Sequence, residues 1–363
     1  MKKIGIVTKV DNNNYGNRLQ NYAVTKVYER MGFAAETLLL NQRKGNIKYI
    51  PRAIRMIMEP VKKKNKLKKT DPLTLVRIRR FEKFNLENGI SIKSFPIWSA
   101  TMLRNRYAYF SVGSDQIWNS NLDFGYGTEF LDFAAPEQRI TLSPSFGTMH
   151  VADDKKASFI KGLRGFEYLS VREESGAELI HGLTGQNAEV IVDPTMMLTK
   201  EDWMRVEKKP ENMDVDSPYI LEYFLGGKSE ATEKEISEFA RKNQLNRMVL
   251  LDKELPELYC ADPGEFIYLI HHAELVVTDS FHATVFSILF GTPFVVYERN
   301  GQKGMGSRIT TLLKRFGLID RAFTGINENS LNINYRTCCQ ILEDEKRKAY
   351  DFLYKSMKGK RNE

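Results

Sequence analysis

Short runs of β-forming apolar residues alternate with helical patterns along this chain, and that alternation restricts the possible folds more than any other feature. Ile4-Gly5-Ile6-Val7 passes through a polar loop into a helical pattern starting near Asn17, with Leu19, Ala23, Val27 and Met31 on one face. Gly32 ends it, and Thr37-Leu38-Leu39-Leu40 reads as the next strand. Tyr109–Val112, Ile140–Ser143, Tyr168–Val171 and Val190–Val192 continue the series. A second series follows Pro210-Glu211-Asn212, with strands at Tyr219–Tyr223, Met248–Leu251, Leu275–Thr278 and Phe294–Tyr297. Helical stretches separate them, notably Ser229–Asn243 and Phe281–Phe290. Strands interleaved with helices imply parallel sheets joined by right-handed crossovers and covered on both faces. At roughly 100–200 residues per domain, 363 residues accommodate two. The expected organisation is two Rossmann-like α/β domains, 1–190 and 191–363, facing each other across a cleft.

Composition narrows the class. Hydrophobic residues at 42% and charged residues at 28% exclude a disordered chain. No run approaches the roughly 18–20 apolar residues of a membrane span, and the basic Met1-Lys2-Lys3 leads into a strand rather than a signal peptide. The three cysteines, Cys260, Cys338 and Cys339, form neither a disulfide framework nor a metal-ligand spacing with histidine, so a reducing cytosol is the expected compartment. Charge is concentrated locally. Between Arg43 and Arg80, 14 basic residues face only Glu59 and Asp71, a net +12 in a chain whose total is +8. With no helix-turn-helix, zinc-finger or ribonucleoprotein motif, that patch does not make a nucleic-acid partner. Within it, Ile50, Ile54, Ile57 and Val61 recur at helical spacing among arginines and lysines. Segment 50–69 is read either as a basic amphipathic helix on an anionic membrane surface or as a solvated loop with a short helix docked on the core.

Ligands of open α/β sheets bind where strand ends lead into helix N-termini, and four such junctions are unusually polar. In the first, Asp11-Asn12-Asn13-Asn14-Tyr15-Gly16-Asn17, Gly16 permits a positive φ and Asn17 can cap the helix, with free N–H groups suited to an anion or sugar hydroxyl. It lacks the dinucleotide glycine fingerprint. In the second, Val112-Gly113-Ser114-Asp115-Gln116-Ile117-Trp118-Asn119, Asp115 either handles a sugar hydroxyl or caps a helix, and Trp118 either stacks on a sugar or fills the core. The third, Ser170-Val171-Arg172-Glu173-Glu174-Ser175, offers a guanidinium to carboxylate or phosphate unless neighbouring acids pair with it. The fourth, Leu275-Val276-Val277-Thr278-Asp279-Ser280-Phe281-His282, delivers Ser, Asp and a histidine to a helix start. Downstream, Glu298, Arg299 and Arg308 bring further charge. No nucleophilic triad, clustered metal motif, P-loop or cysteine centre is visible.

These blocks, with Val192-Asp193-Pro194-Thr195 and Ser307-Arg308-Ile309, resemble the polysaccharide pyruvyl transferase family over nearly the whole chain. The resemblance implies a GT-B-like fold and transfer of pyruvate from phosphoenolpyruvate onto a sugar as a cyclic ketal, without metal or redox cofactor. Its arginine after the Ser-Val-Arg-Glu strand maps onto Arg172. Its donor-site Arg-Leu-His maps onto Ser280-Phe281-His282, so the histidine is kept and the arginine is not; Arg299 or Arg308 is expected to substitute. His282 is then the expected acid that protonates the methylene carbon, with Asp115 accepting the hydroxyl proton. Asn14, Tyr15, Gly16, Asn17, Gln20, Ser114, Asp115 and Trp118 form the expected acceptor side. The acceptor is a sugar of a polysaccharide precursor, lipid-diphosphate-linked if segment 50–69 holds the chain to the inner face of the membrane. A nucleotide-sugar glycosyltransferase and a non-catalytic glycan-binding member are the alternatives.

Overall fold

The structure, a computed structural model, describes residues 1–41, 71–122, 128–211, 213–300, 306–323 and 325–358. The amphipathic segment 50–69 therefore lies outside the described residues. The first half contains β1 (Lys2–Val7), α1 (Tyr15–Arg30), β2 (Phe33–Asn41), α2 (Pro72–Glu87), β3 (Ile92–Pro96), β4 (Tyr109–Gly113) and β5 (Arg139–Leu142). Its strands form a parallel sheet in the order β3-β2-β1-β4-β5. A middle section follows with α3 (Lys156–Leu163), the short β6 (Ser170–Val171), α4 (Glu174–Thr184), β7 (Glu189–Val190) and α5 (Lys200–Met204), β6 pairing with β7. The second half holds β8 (Tyr219–Tyr223), α6 (Glu230–Lys242), β9 (Asn246–Val249), α7 (Pro256–Tyr259) and α8 (Pro263–His271). It continues through β10 (Leu275–Thr278), α9 (Phe281–Phe290), β11 (Phe294–Val296), α10 (Ser307–Arg315) and α11 (Cys338–Lys358). Its parallel sheet runs β11-β10-β8-β9.

Local chemistry explains the boundaries. Helix α1 begins at Tyr15, two residues before the expected start, because the Asn14 side chain accepts the Asn17 N–H at 3.0 Å and is itself the cap. Asp71 and Asp262 cap α2 and α8, each with proline at the first helical position. Strand β10 and all of α9 are buried, which accounts for their predominantly apolar character. Edge strand β3, Ile92-Lys93-Ser94-Phe95-Pro96, carries too little apolar signal to be anticipated from sequence.

Chain order reverses at two places: between β1 and β4 in the first sheet, and between β8 and β10 in the second. In doubly wound sheets such reversals open a crevice at the strands' carboxyl ends. Here the loop after β1, the turn after β4 and the start of α9 meet. A Cβ built on Gly16 would fall 2.0 Å from His282 Nδ1, so the bare backbone at the start of α1 is what lets α9 approach. The halves also share apolar packing: one core cluster runs from Ile4, Tyr15 and Leu19 to Phe266, Phe286 and Met357.

Candidate active site

Asp193 is the hub. Oδ2 accepts from Arg172 Nη1 at 2.6 Å and from Ser114 Oγ at 2.9 Å, and lies 3.8 Å from His282 Nε2. Oδ1 accepts from the Thr195 N–H and hydroxyl at 3.0 and 2.7 Å, which fixes the Asp-Pro-Thr turn. Arg172 extends from Asp193 to Asp115, whose Oδ1 lies 3.7 Å from Nη2. Asp115 stands directly after β4 at φ 62°, with no helix behind it, so its alternative role as a helix cap does not apply. Its Oδ2 accepts from Asn17 Nδ2 at 3.2 Å, joining the first two polar junctions. Four segments distant in sequence thus converge on His282.

Phe281 separates two cations. The Arg172 guanidinium carbon lies 4.2 Å from its ring centroid and that of Arg308 lies 5.9 Å away. Arg308, on the first turn of α10, is 5% exposed, and the Gln116 amide, with oxygen facing the guanidinium, accepts from its two terminal nitrogens at 3.0 and 3.1 Å. Beside it opens a cavity of about 370 Å³ whose walls include Glu174, Ser175, Asp279, Arg299, Ser307 and Arg308. Arg299 differs from Arg308: its Nε is 3.2 Å from Asp279 Oδ2 and its Nη2 donates to the Asp279 carbonyl at 3.0 Å. Asp279 also accepts from the Leu225 and Gly226 N–H groups at 2.7 and 2.8 Å, so it ties the ends of β8 and β10 together. Ser280, at the family's arginine position, caps α9.

Seven buried side-chain atoms around this cluster make no hydrogen bond among the described residues: Arg172 Nε and Nη2, Glu173 Oε2, Ser175 Oγ, His282 Nε2, Ser307 Oγ and Arg308 Nε. Buried polar atoms are seldom left so. Helix α10 adds its own free N–H groups here, since no side chain among the described residues caps it.

Electrostatics sort these groups. Burial drives the His282 pKa down to about 4, with Arg172 and Arg308 adding to the effect and Asp193 and Asp115 opposing it. The imidazole is therefore neutral at pH 7. Burial lowers Arg308 to about 10, with Arg172 contributing, and it stays a cation. Burial alone would raise Asp193 and Asp115, but Arg172 in particular holds both below the usual range, Asp193 at about 2.

The expected acceptor side is largely closed. Trp118 is fully buried between Phe130, Phe146 and Phe166, and its indole N–H donates to the Glu129 carbonyl at 2.8 Å, so it fills the core and cannot stack on a sugar. Tyr15 is also fully buried, stacked 4.3 Å from Phe266, with its hydroxyl donating to the Ala261 carbonyl at 2.9 Å. Gln20 bonds Thr8 Oγ1, the Asn17 carbonyl and the Ser114 N–H. The amide-rich loop is braced too, since Arg77 donates to Asn13 and Asn85 to Asn12. These side chains bond to one another because the loop must bridge two halves, a demand that residue types alone do not reveal. Asp193, Glu173, Ser175, Gln116 and Ser307 belong to the cluster, though the sequence blocks that contain them gave none of them a role. An aspartate-proline turn directly after the apolar Ile191-Val192 was the one available signal.

Comparison with known proteins adds two findings. Residues 14–301 match the family model described as polysaccharide pyruvyl transferase, whereas no curated protein matches in sequence. Among solved structures, the UDP-GlcNAc 2-epimerase of Methanocaldococcus jannaschii in complex with UDP-GlcNAc and UDP is similar at 12% identity and a TM-score of 0.50, covering 97% of this chain and 99% of that one. Anabaena Alr3699/HepE in complex with UDP and glucose is 9% identical with a TM-score of 0.47, over 98% of this chain and 100% of that one. The epimerase likeness is one of fold, a GT-B-like pair of parallel α/β units.

Proposed function

We propose that this chain, which belongs to the polysaccharide pyruvyl transferase family, moves pyruvate from phosphoenolpyruvate onto two hydroxyls of a sugar in a polysaccharide precursor, forming a cyclic ketal. The observation that carries the donor side is the pair of arginines flanking Phe281, with unbonded nitrogens next to an unbonded histidine. In this reading Arg308 and the start of α10 receive the phosphate, and Arg172 receives the carboxylate. Arg308 stands in for the arginine replaced by Ser280, because Arg299 already answers to Asp279.

The chemistry starts with the proton. Phosphoenolpyruvate brings negative charge beside a neutral His282, which favours the imidazolium. The imidazolium transfers its proton to the methylene carbon, leaving positive charge on C2 and its oxygen. A sugar hydroxyl forms the first C2–O bond and returns its proton to the imidazole. The bond from C2 to the phosphate oxygen then breaks. The second hydroxyl closes the ketal, its proton passing to phosphate, which departs as the hydrogen phosphate dianion. Asp115 is held too acidic to be a strong base, so its part is a fixed negative charge facing the developing cation.

Incubation with phosphoenolpyruvate and a panel of hexose and hexosamine oligosaccharides tests this. Expected are phosphate release and an acceptor heavier by one pyruvate less one water. Thermal stabilisation by UDP-sugars, with none by phosphoenolpyruvate, would replace the reading with a nucleotide-sugar transferase. Segment 50–69 extends the proposal to a lipid-linked acceptor at an anionic membrane. That extension fails if replacing Lys62, Lys63, Lys64, Lys66, Lys68 and Lys69 by alanine leaves affinity for phosphatidylglycerol vesicles unchanged.

A further inference from the structure

A second cavity adjoins the first. It measures about 610 Å³ and is lined by Met149, His150, Val151, Asp153 and Lys156 on one side and by α4 on the other. Met149, Ser175 and Glu178 border both cavities, so the two are neighbours. The wall from α4 consists of Ser175, Glu178, Leu179, Gly182 and Leu183. Those positions recur at intervals of three and four and make one helix face. Gly176 and Ile180, on the other side of the helix, are buried in the core. At Gly182 a Cβ would meet nothing within 4 Å, and Met149 is 61% exposed. Glu178 and Gly182 on this face are exposed, while Leu179 and Leu183 are half-buried against the core.

We infer that the groove over α4 is the acceptor site and that its occupant is an uncharged glycan. The inference rests on the pyruvyl-transfer reading for its link to the donor cavity. Three observations favour that occupant. First, the sugar must reach a donor that Arg308 helps to hold, and the groove adjoins the cavity that Arg308 lines, whereas Tyr15, Asn17, Gln20, Ser114 and Trp118 are buried. Second, the lining is amphipathic: an apolar strip of Met149, Val151, Leu179 and Leu183 is edged by His150, Asp153, Glu178 and Lys156. A pyranose is built the same way, with C–H faces and hydroxyl edges. Third, charge separates the two cavities. Lys156 is paired with Asp153 at 2.7 Å and Glu178 adds a negative charge, so the groove does not suit a polyanion, while the arginines gather at the donor end. Ser175 to Leu183 rises roughly 12 Å along the helix, room for more than one sugar ring.

Gly182→Trp tests the inference, because it fills the groove from an exposed helical position and leaves the core untouched; Gly182→Ala is its control. With an oligosaccharide from the panel that supports phosphate release, Gly182→Trp is expected to raise the acceptor KM by about tenfold or more. The phosphoenolpyruvate KM and the thermal midpoint should stay near wild type, and Gly182→Ala should behave as wild type. An unchanged acceptor KM in Gly182→Trp overturns the inference. A second readout needs no turnover. In protein labelled with 13C-methyl methionine, with Met149 assigned through Met149→Leu, the same oligosaccharides added without phosphoenolpyruvate should shift the Met149 signal. If they bind without moving it, or fail to bind, the groove is not the acceptor site. A Met149 shift without phosphate release would retain the glycan groove and sink the pyruvyl-transfer reading.

Discussion

Arg299 and Arg308 line the same cavity, yet only Arg299 has a carboxylate partner close by. That contrast predicts unequal consequences. Arg308→Gln should weaken phosphoenolpyruvate binding by about 10- to 100-fold, the loss of a charge-assisted hydrogen bond worth roughly 1.5–3 kcal/mol, as read by calorimetric titration. Arg299→Gln should weaken binding less and lower the thermal midpoint more, because it leaves Asp279 buried beside the loop it anchors. His282 supplies the pH prediction. With its pKa near 4 in the free protein, the imidazole is unprotonated at pH 7, and a trianion beside it must raise that value. Binding should therefore take up protons. Titrations at pH 7 in buffers of differing ionisation enthalpy should show the uptake, and His282→Gln should reduce it. The same depressed value costs stability as pH falls from about 6.5 toward 4, since only the unfolded chain binds the proton freely; the variant should be less acid-sensitive there. His282, Arg172 and Arg308 were legible because each follows an apolar strand or opens a helix. Asp193 was not, because its importance comes from three partners brought in by other segments.

At the scale of elements, the sequence pattern located every described strand except the edge strand β3, with shifted bounds at β7 and β9. Phe281–Phe290 and Tyr219–Tyr223 match their expected bounds because every residue in them is buried and most are apolar. Helix α2 escaped notice for the opposite reason: its register is mixed and its contacts are charged. Arg77 is fully buried in it, 4.4 and 4.7 Å from the Tyr15 and Phe81 ring centroids, and it bonds Asn13, the Tyr15 hydroxyl and the Tyr259 carbonyl. Arg80 adds a 2.5 Å pair with Glu265. The basic stretch from Arg43 to Arg80 thus ends in a clamp between α1 and α8. Arg77→Met should lower stability by about 1–3 kcal/mol, seen as an earlier denaturant midpoint at unchanged slope. It should also loosen the Asn12-Asn13-Asn14 loop, detectable as faster amide exchange there.

The described residues form two large parallel sheets and one short two-stranded one, but share an interior. Because one apolar cluster reaches from β1 and α1 through α8 and α9 to α11, and because Tyr109 in β4 donates to the Met357 carbonyl at 3.2 Å, the halves should melt together. Calorimetry is expected to give one transition with matching calorimetric and van't Hoff enthalpies; two resolved transitions would refute it. Sequence anticipated the pair of sheets, since each announces itself locally. It was silent about their union, which depends on side chains such as Tyr15 and Phe266 that meet only after folding. Gly16 against His282 carries the further consequence. A histidine seated on the backbone of the opposite half would be pulled from its socket by any clamshell motion, so whatever the cleft takes in has to enter and leave with the two halves held together.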